Sequence, residues 1–304
     1  MTDRPAPNLF DPQHVAQNRR RAVLGYKDNA FLKQRESHQL VERLADVSRK
    51  FPRALDYGCH DGSAARAMLD SGQVGEVIAY DVSPAMVEIA RANGLTAMYG
   101  DAEHLPFEEG RFDLITSVLS LHWVNDLPGL LVQFRRLLKP DGLFLSCLFG
   151  GGTLSELRTC LIEAESEITG GASARISPLP SLQDTAALLQ RAGFALPVAD
   201  VDRVTVRYSS PLNLMQDIKA MGEQAAFARS LTQPRRPLSR RILQRTTEIY
   251  HDRYSDPDGK VRASFEIIWL SGWAPAAGQP QPLRPGSARA SLADAVRRVR
   301  SDKA

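Results

Sequence analysis

The chain has 304 residues, 43% hydrophobic and 24% charged, with 38 Lys+Arg against 35 Asp+Glu for a formal charge of +3. That is the composition of a globular protein long enough for one large domain or two modest ones, and it excludes a strongly cationic nucleic-acid binder. The longest apolar runs, such as 143–149, are strand-sized, so no membrane span is expected. The start, Met1-Thr-Asp-Arg-Pro, has an early acid and no hydrophobic stretch, unlike a secretory signal. Cys59, Cys147 and Cys160 lie far apart with no C-x-x-C pair, which argues against a zinc site or a disulfide framework and for a reduced, cytoplasmic protein.

Residues 10 to 50 read as amphipathic helix: Leu24, Phe31, Leu32, Leu40, Val41 and Leu44 recur at roughly helical spacing, with Arg35, Glu36, Glu42 and Arg43 between them. From Phe51 short strands alternate with helices. Strands are expected at 53–57, 76–80, 112–118 and 143–149, and helices at 63–69, 85–92 and 130–138. Ser83 is placed to cap the second of these helices, with Pro84 at its first position and Gly94 past its end. Lys139-Pro-Asp-Gly is placed to end the third. The alternation predicts a parallel sheet with right-handed crossovers.

After Gly150-Gly-Gly the pattern becomes α+β, with helices expected at 154–168, 185–192, 212–221 and 240–254 and strands at 201–208 and 265–270. From Ala276 the chain turns rich in Ala, Gly, Pro and Gln, a linker leading to a short basic stretch at 292–300. Residues 281–304 hold six basic and two acidic side chains, a net +4, so subtraction from +3 leaves residues 1–280 at −1. The basicity is a property of the terminus. There is no internal repeat.

The segment that carries chemistry is Leu55-Asp56-Tyr57-Gly58-Cys59-His60-Asp61-Gly62, a strand running into a glycine-bearing turn before a helix. Such a turn lets backbone approach a ligand closely and presents free N–H groups at a helix N-terminus. A plain strand-to-helix connection would look the same, but two further acids follow at strand ends. Asp81 can accept both ribose hydroxyls of a nucleoside, and Asp101, after Gly100, falls where a third βα loop reaches an adenine edge. The pyrophosphate fingerprint G-x-G-x-x-G is missing, because position 60 is His and position 63 is Ser. An acid ahead of the glycines suits a ligand with a positive amino group, which points to S-adenosylmethionine.

Taken in order, Asp56-x-Gly58-Cys59-x-x-Gly62, Asp81-Val-Ser-Pro-Ala-Met, Gly100-Asp-Ala-Glu-His-Leu-Pro-Phe, Phe112-Asp, Leu119-Ser-Leu-His-Trp and Leu138-Lys-Pro-Asp-Gly resemble the class I methyltransferases of the type 11 group. Further segments resemble the mitochondrial complex I assembly factor 5 family over nearly the whole chain. They are Leu9-Phe-Asp, Ser120-Leu-His-Trp-Val-Asn-Asp-Leu-Pro, Gly151-Gly-Thr-Leu-Ser-Glu-Leu-Arg, Ala192-Gly-Phe-Ala-Leu-Pro, Leu214-Met-Gln-Asp-Ile-Lys-Ala-Met-Gly-Glu and Phe265-Glu-Ile-Ile-Trp-Leu-Ser-Gly-Trp-Ala-Pro. The resemblance implies an α/β, Rossmann-like class I methyltransferase fold with a seven-stranded, mostly parallel sheet, an N-terminal helical lid and a late helical insertion. The expected organisation is an N-terminal helical segment at 1–50, a cofactor-binding core at 51–150, a substrate region completing the sheet at 151–275 and a flexible basic tail at 276–304.

It also implies S-adenosylmethionine as cofactor. Asp56, Gly58, His60 and Gly62 would lie at its methionine end, Asp81 on the ribose, and Asp101 with Ala102 on the adenine side. The family's mitochondrial member is understood to hydroxylate an arginine on a quinone-proximal complex I subunit, so the implied partner is the corresponding bacterial NADH dehydrogenase subunit. The place would be the cytoplasm, at the periphery of the inner membrane.

Where class I enzymes usually carry glycine, this chain has His60, which either crowds the methionine moiety, contacts its carboxylate, or is a tolerated turn residue. His122 and Trp123 follow the strand at 112–118 and should lie beside the cofactor's reactive end. Trp123 reads either as a substrate-pocket wall or as packing, and His122 as a polar contact or base, or as a satisfied core histidine. No histidine has an acid two positions later, the spacing of a non-haem iron site, so no metal is expected and hydroxylation rests on resemblance alone. Methyl transfer asks mainly for alignment of donor and acceptor.

Two arginine runs, Arg19-Arg20-Arg21 and Pro234-Arg-Arg-Pro237 with Arg240, Arg241 and Arg245, read as solvated faces or as docking surfaces for an acidic partner; neither has the aromatic interleaving of a nucleic-acid site. Three functions compete: a complex I assembly factor that modifies a subunit protein, a methyltransferase on a small molecule or carrier-bound acyl group similar to the malonyl-carrier enzymes of biotin synthesis, and a non-catalytic nucleoside-binding assembly protein.

Overall fold

The computed structural model describes residues 8–228 and 238–280. The apolar runs of the first half form parallel strands. β1 (Phe51–Tyr57) lies between β2 (Val74–Asp81) and β4 (Phe112–Val118), β3 (Thr96–Tyr99) flanks β2, and β5 (Leu138–Phe149) flanks β4. All seven residues of β4 are buried, as a strand covered on both faces must be. The last two strands reverse direction: β7 (Val261–Trp273) pairs antiparallel with β5, and β6 (Ala195–Tyr208) pairs antiparallel with β7. The sheet order is β3-β2-β1-β4-β5-β7-β6, the expected seven-stranded, mostly parallel sheet.

Two apolar layers cover it. On one face Leu40, Leu44, Met68, Val87, Leu161 and Ile249 pack from α3 (Phe31–Ala45), α4 (Ser63–Asp70), α5 (Pro84–Ala92), α7 (Ser155–Thr169) and α10 (Arg240–Tyr254). On the other, Leu130, Phe134 and Leu189 pack from α6 (Leu127–Leu137) and α8 (Leu182–Arg191) against Leu55, Tyr80, Phe112 and Phe144. The N-terminal segment is broken into α1 (Pro12–Ala22), a 3-10 turn at Val23–Gly25, α2 (Tyr26–Asn29) and α3; α9 (Pro211–Ala220) and α10 lie between β6 and β7. Among the described residues no helix is long and apolar enough to cross a membrane.

Several local expectations are corrected. Leu24, assigned to the apolar helical face, is fully exposed, because the 3-10 turn breaks the 3.6-residue phase. β3, only four residues long, was not expected as a strand. α6 ends at Leu137, just before Lys139-Pro-Asp-Gly, but β5 starts at Leu138, five residues before the expected strand, and takes that segment in; Asp141 takes φ +62 there, and the pairing with β4 shifts register between Phe112 and Leu114. β6 begins at Ala195, six residues before the expected strand. Ser83 occupies the N-cap of α5, but its hydroxyl is buried without a partner; Asp81 Oδ1 accepts from the Ser83 amide instead (2.8 Å). The run at 234–237 and the tail from 281 fall outside the described residues.

Candidate functional site

The carboxyl ends of β1, β2 and β4 converge on one buried polar cluster. Asp56, at the end of β1, is fully buried; Oδ1 is 3.3 Å from Thr116 Oγ1, and Oδ2 has no partner. Burial pushes its carboxyl up to about 6, against the opposing pull of Lys33. Gly58 turns the chain at φ +68 so close to the segment after β4 that a Cβ there would lie 2.0 Å from Ser120 Oγ. Gly62, at φ +81, opens α4.

His60 holds φ +52, a conformation strained for a side-chain-bearing residue, and is fully buried. Its Nδ1 is 2.6 Å from the Lys33 ammonium. Burial, with Arg19 and Lys33 nearby, holds its pKa well below the usual histidine range, so the ring is neutral. The same Nδ1 lies 2.8 Å from the Gly58 carbonyl, while Nε2 is buried without a hydrogen-bond partner, 4.0 Å from Glu223 Oε1.

Asp81 accepts four bonds: Nη1 of Arg19 reaches both oxygens (3.0 and 2.9 Å), the Ser83 amide reaches Oδ1, and the His60 amide reaches Oδ2 (3.0 Å). Arg19 also donates from Nη2 to Ser120 Oγ (2.7 Å) and is only 2% exposed. This corrects both readings of the Arg19-Arg20-Arg21 run for its first member, which is neither solvated nor free to dock a partner. In the second run, Arg245 is paired with Glu167 on α7 and with Glu248.

Asp101 and Ala102 part company. The Asp101 carboxylate is largely exposed and accepts from the Glu103 and His104 amides of its own turn, away from the buried cluster. Its carbonyl accepts from Tyr80 Oη and that of Ala102 from Tyr57 Oη, both at 2.7 Å. Ala102 therefore lines a small cavity with Gly58, Asp81 and Trp123, of about 20 Å³.

His122 and Trp123 form a 3-10 turn just past β4, and both are buried. Trp123 Nε1 donates to Glu223 Oε2 (2.7 Å), and His122 Nε2 lies 3.0 Å from the same oxygen. Sequence reasoning missed Glu223; its one local signal is the helix stop Met221-Gly222 just before it. Burial pushes its carboxyl up, but His122 and Arg19 more than offset this, and its pKa lies below the ordinary value. The Glu223, His122 and Trp123 trio lines a cavity of about 340 Å³, otherwise walled mainly by apolar side chains such as Phe149, Leu157, Ile176 and Phe265. Trp123 also borders the cavity at Asp81, and Glu223 a second small one at His60 and Lys33. The trio therefore stands between the strand-end acids and the apolar pocket.

The orphaned Asp56 oxygen and His60 Nε2, the close backbone pass at Gly58 and the strand-end carboxylate Asp81 are of the kinds that fit the methionine end and ribose of S-adenosylmethionine, the carboxylates as acceptors for its ammonium and hydroxyls.

A family model described as "Methyltransferase domain" matches residues 55–146. The arginine-hydroxylase NDUFAF5 of Danio rerio mitochondria is 39% identical over 87% of this chain and 81% of its own length. The chain belongs to the class I methyltransferases. A malonyl-[acyl-carrier protein] O-methyltransferase of Xylella fastidiosa is similar too, 35% identical over 88% of this methyltransferase and 89% of the relative. Among solved structures, the YcgJ protein of Bacillus subtilis shares the fold with a TM-score of 0.55, at 20% identity over 79% of this chain and 99% of that one. The methyltransferase family identifies the chain as an S-adenosylmethionine-dependent enzyme; the two kinds of curated relative divide over what is modified.

Proposed function

We propose that the protein modifies an arginine side chain of a partner protein, using S-adenosylmethionine, in line with the name its NDUFAF5 relatives carry. The observation that carries this reading is the buried carboxylate of Glu223 in the wall of an apolar pocket, held in its charged form by His122, Arg19 and Trp123. The neighbouring charges cancel in pairs: Arg19 with Asp81, Lys33 beside Asp56, and Arg175 in the pocket wall with Glu165 at 2.6 Å. Glu223, in contact with His122 and Trp123, is the carboxylate in the pocket wall that an incoming cationic group meets. Three methylenes along apolar walls and a guanidinium against a buried carboxylate are an arginine's requirements. A malonyl acceptor brings its own carboxylate, which Glu223 repels in a low-dielectric site.

Bound S-adenosylmethionine supplies an activated methyl group and a sulfonium charge. Asp56 would take its ammonium, with Gly58, His60 and Gly62 around the methionine moiety. Asp81 would hold the ribose and the Ala102 backbone, beside Asp101, the adenine side. Trp123 would form a wall of the acceptor pocket beside the reactive end, and His122, fixed by Glu223, would give a polar contact there. The partner is taken to be a quinone-proximal NADH dehydrogenase subunit, met in the cytoplasm at the inner membrane.

Deletion of the gene followed by mass spectrometry of the NADH dehydrogenase subunits tests this. An arginine that loses its modification only in the deletion strain is the expected result, and whether the lost group is an oxygen or a methyl decides the chemistry. A biotin requirement with every arginine unchanged would replace this reading with the carrier-methylating one. Failed assembly with neither change would leave a binding role alone.

A further inference from the structure

The carboxylate at the end of β2 is already occupied, in part by a cation of the N-terminal helices. The two oxygens of the Asp81 carboxylate offer about four lone-pair sites, and four N–H bonds fill them: one from Arg19 and one backbone amide on each oxygen. Lys33, on α3, likewise donates to the Gly58 carbonyl (2.7 Å) and the Val118 carbonyl (3.0 Å). A ribose diol needs the same Asp81 oxygens that the Arg19 guanidinium holds. Space is withheld with them: the cavity beside Gly58, Asp81 and Ala102 has Pro12, Val15 and Arg19 of α1 in its wall, and at about 20 Å³ it holds little more than one water.

We infer that Arg19 is an internal latch on the nucleoside site: its guanidinium and the ligand's ribose exchange on Asp81, and the site fills when α1 withdraws. The inference rests on the cofactor reading above. The same helix also braces the substrate side. Asn18 Nδ2 donates to the Gln224 carbonyl (3.0 Å), the Asp11 amide to the Ala226 carbonyl (2.8 Å), and Phe10 packs edge-on against Trp123 with centroids 5.2 Å apart. Withdrawal of α1 therefore loosens the segment that carries Glu223, which ties filling of the nucleoside site to the shape of the apolar pocket.

The test is calorimetric titration of S-adenosylhomocysteine into the full chain and into Arg19→Met. A site open one time in ten loses tenfold in apparent affinity, so removing the latch should tighten binding about tenfold. The second readout is nitrogen-15 NMR of the arginine side chains in the unaltered protein. The Arg19 guanidinium, assigned by the loss of its signals in Arg19→Lys, should show the resolved Nη resonances of a locked ion pair, and these should collapse when the ligand saturates the site. Weaker or unchanged binding by Arg19→Met overturns the latch, as do Arg19 signals that persist at saturation. If Arg19→Met does not fold, the NMR result on the unaltered chain decides. Absence of binding by both proteins would instead bring down the cofactor reading and the latch with it, whereas equal binding by both removes the latch alone.

Discussion

Asp56 makes a sharp prediction because its burial and its function pull in opposite directions. The carboxyl has no exposure, one oxygen without a partner and a folded-state pKa of about 6, raised by burial against the pull of Lys33. An unfolded aspartate titrates near 3.9, so the native chain holds this proton more tightly than the unfolded one. The stability contributed is fully present below about pH 4 and is lost as pH rises through about 6. A shift of roughly two pKa units corresponds to about 3 kcal/mol at the plateau. Asparagine copies the protonated carboxyl and cannot ionise. Asp56→Asn should therefore match the wild type near pH 4, gain on it between pH 4 and 6, and stay ahead by about 3 kcal/mol above that, several degrees in Tm. Thermal melts of both proteins by circular dichroism from pH 4 to 8 read the difference directly. A gap that does not change with pH, or an Asp56→Asn protein less stable at pH 8, would refute the reasoning. The same variant should bind S-adenosylhomocysteine more weakly, since the charge that destabilises the fold is the one that receives the ammonium.

Gly58→Ala combines a left-handed backbone with a Cβ placed 2.0 Å from Ser120 Oγ; a loss of about 2 kcal/mol or more is expected in urea unfolding, with S-adenosylhomocysteine binding lost too. Trp123→Phe keeps the packing against Phe10 but deletes the 2.7 Å bond to the Glu223 carboxylate, which should cost about 2 kcal/mol by the same assay. Burial pushes all three thiols up, Cys160 to about 11. None should react with an aromatic disulfide reagent at pH 8 until denaturant is added, after which all three should titrate.

The strand-end residues could be read from sequence because their signals are local. Asp56, Gly58, Gly62 and Asp81 each sit within a few residues of a strand–turn–helix junction, and the sheet follows from alternating apolar runs. What escaped depends on contacts across the chain. Glu223 is defined by its bonds to His122 and Trp123, a hundred residues away, and nothing beside it in sequence marks it as buried. Arg19 looked solvated because it stands in a triplet of arginines, yet one face of α1 carries it inward to Asp81. Asp101 sits at the expected loop, but an exposed carboxylate next to free backbone amides closes its own turn first. Leu24 shows how a single 3-10 turn defeats a periodicity argument.

The end of β5 divides the two proposed tasks along the chain. The residues proposed to hold the nucleoside fall between Asp56 and Ala102, on β1 to β3 and their turns. The pocket walls, by contrast, come almost wholly from Phe149 to Phe265, the stretch that runs from the end of β5 through β6 into β7. A lineage can then rewrite its choice of acceptor by changing the second stretch while the donor end is inherited intact. Relatives at 39% and 35% identity bear the names of two different reactions, and on this division the residue that matches position 223 is where a difference between them should be sought.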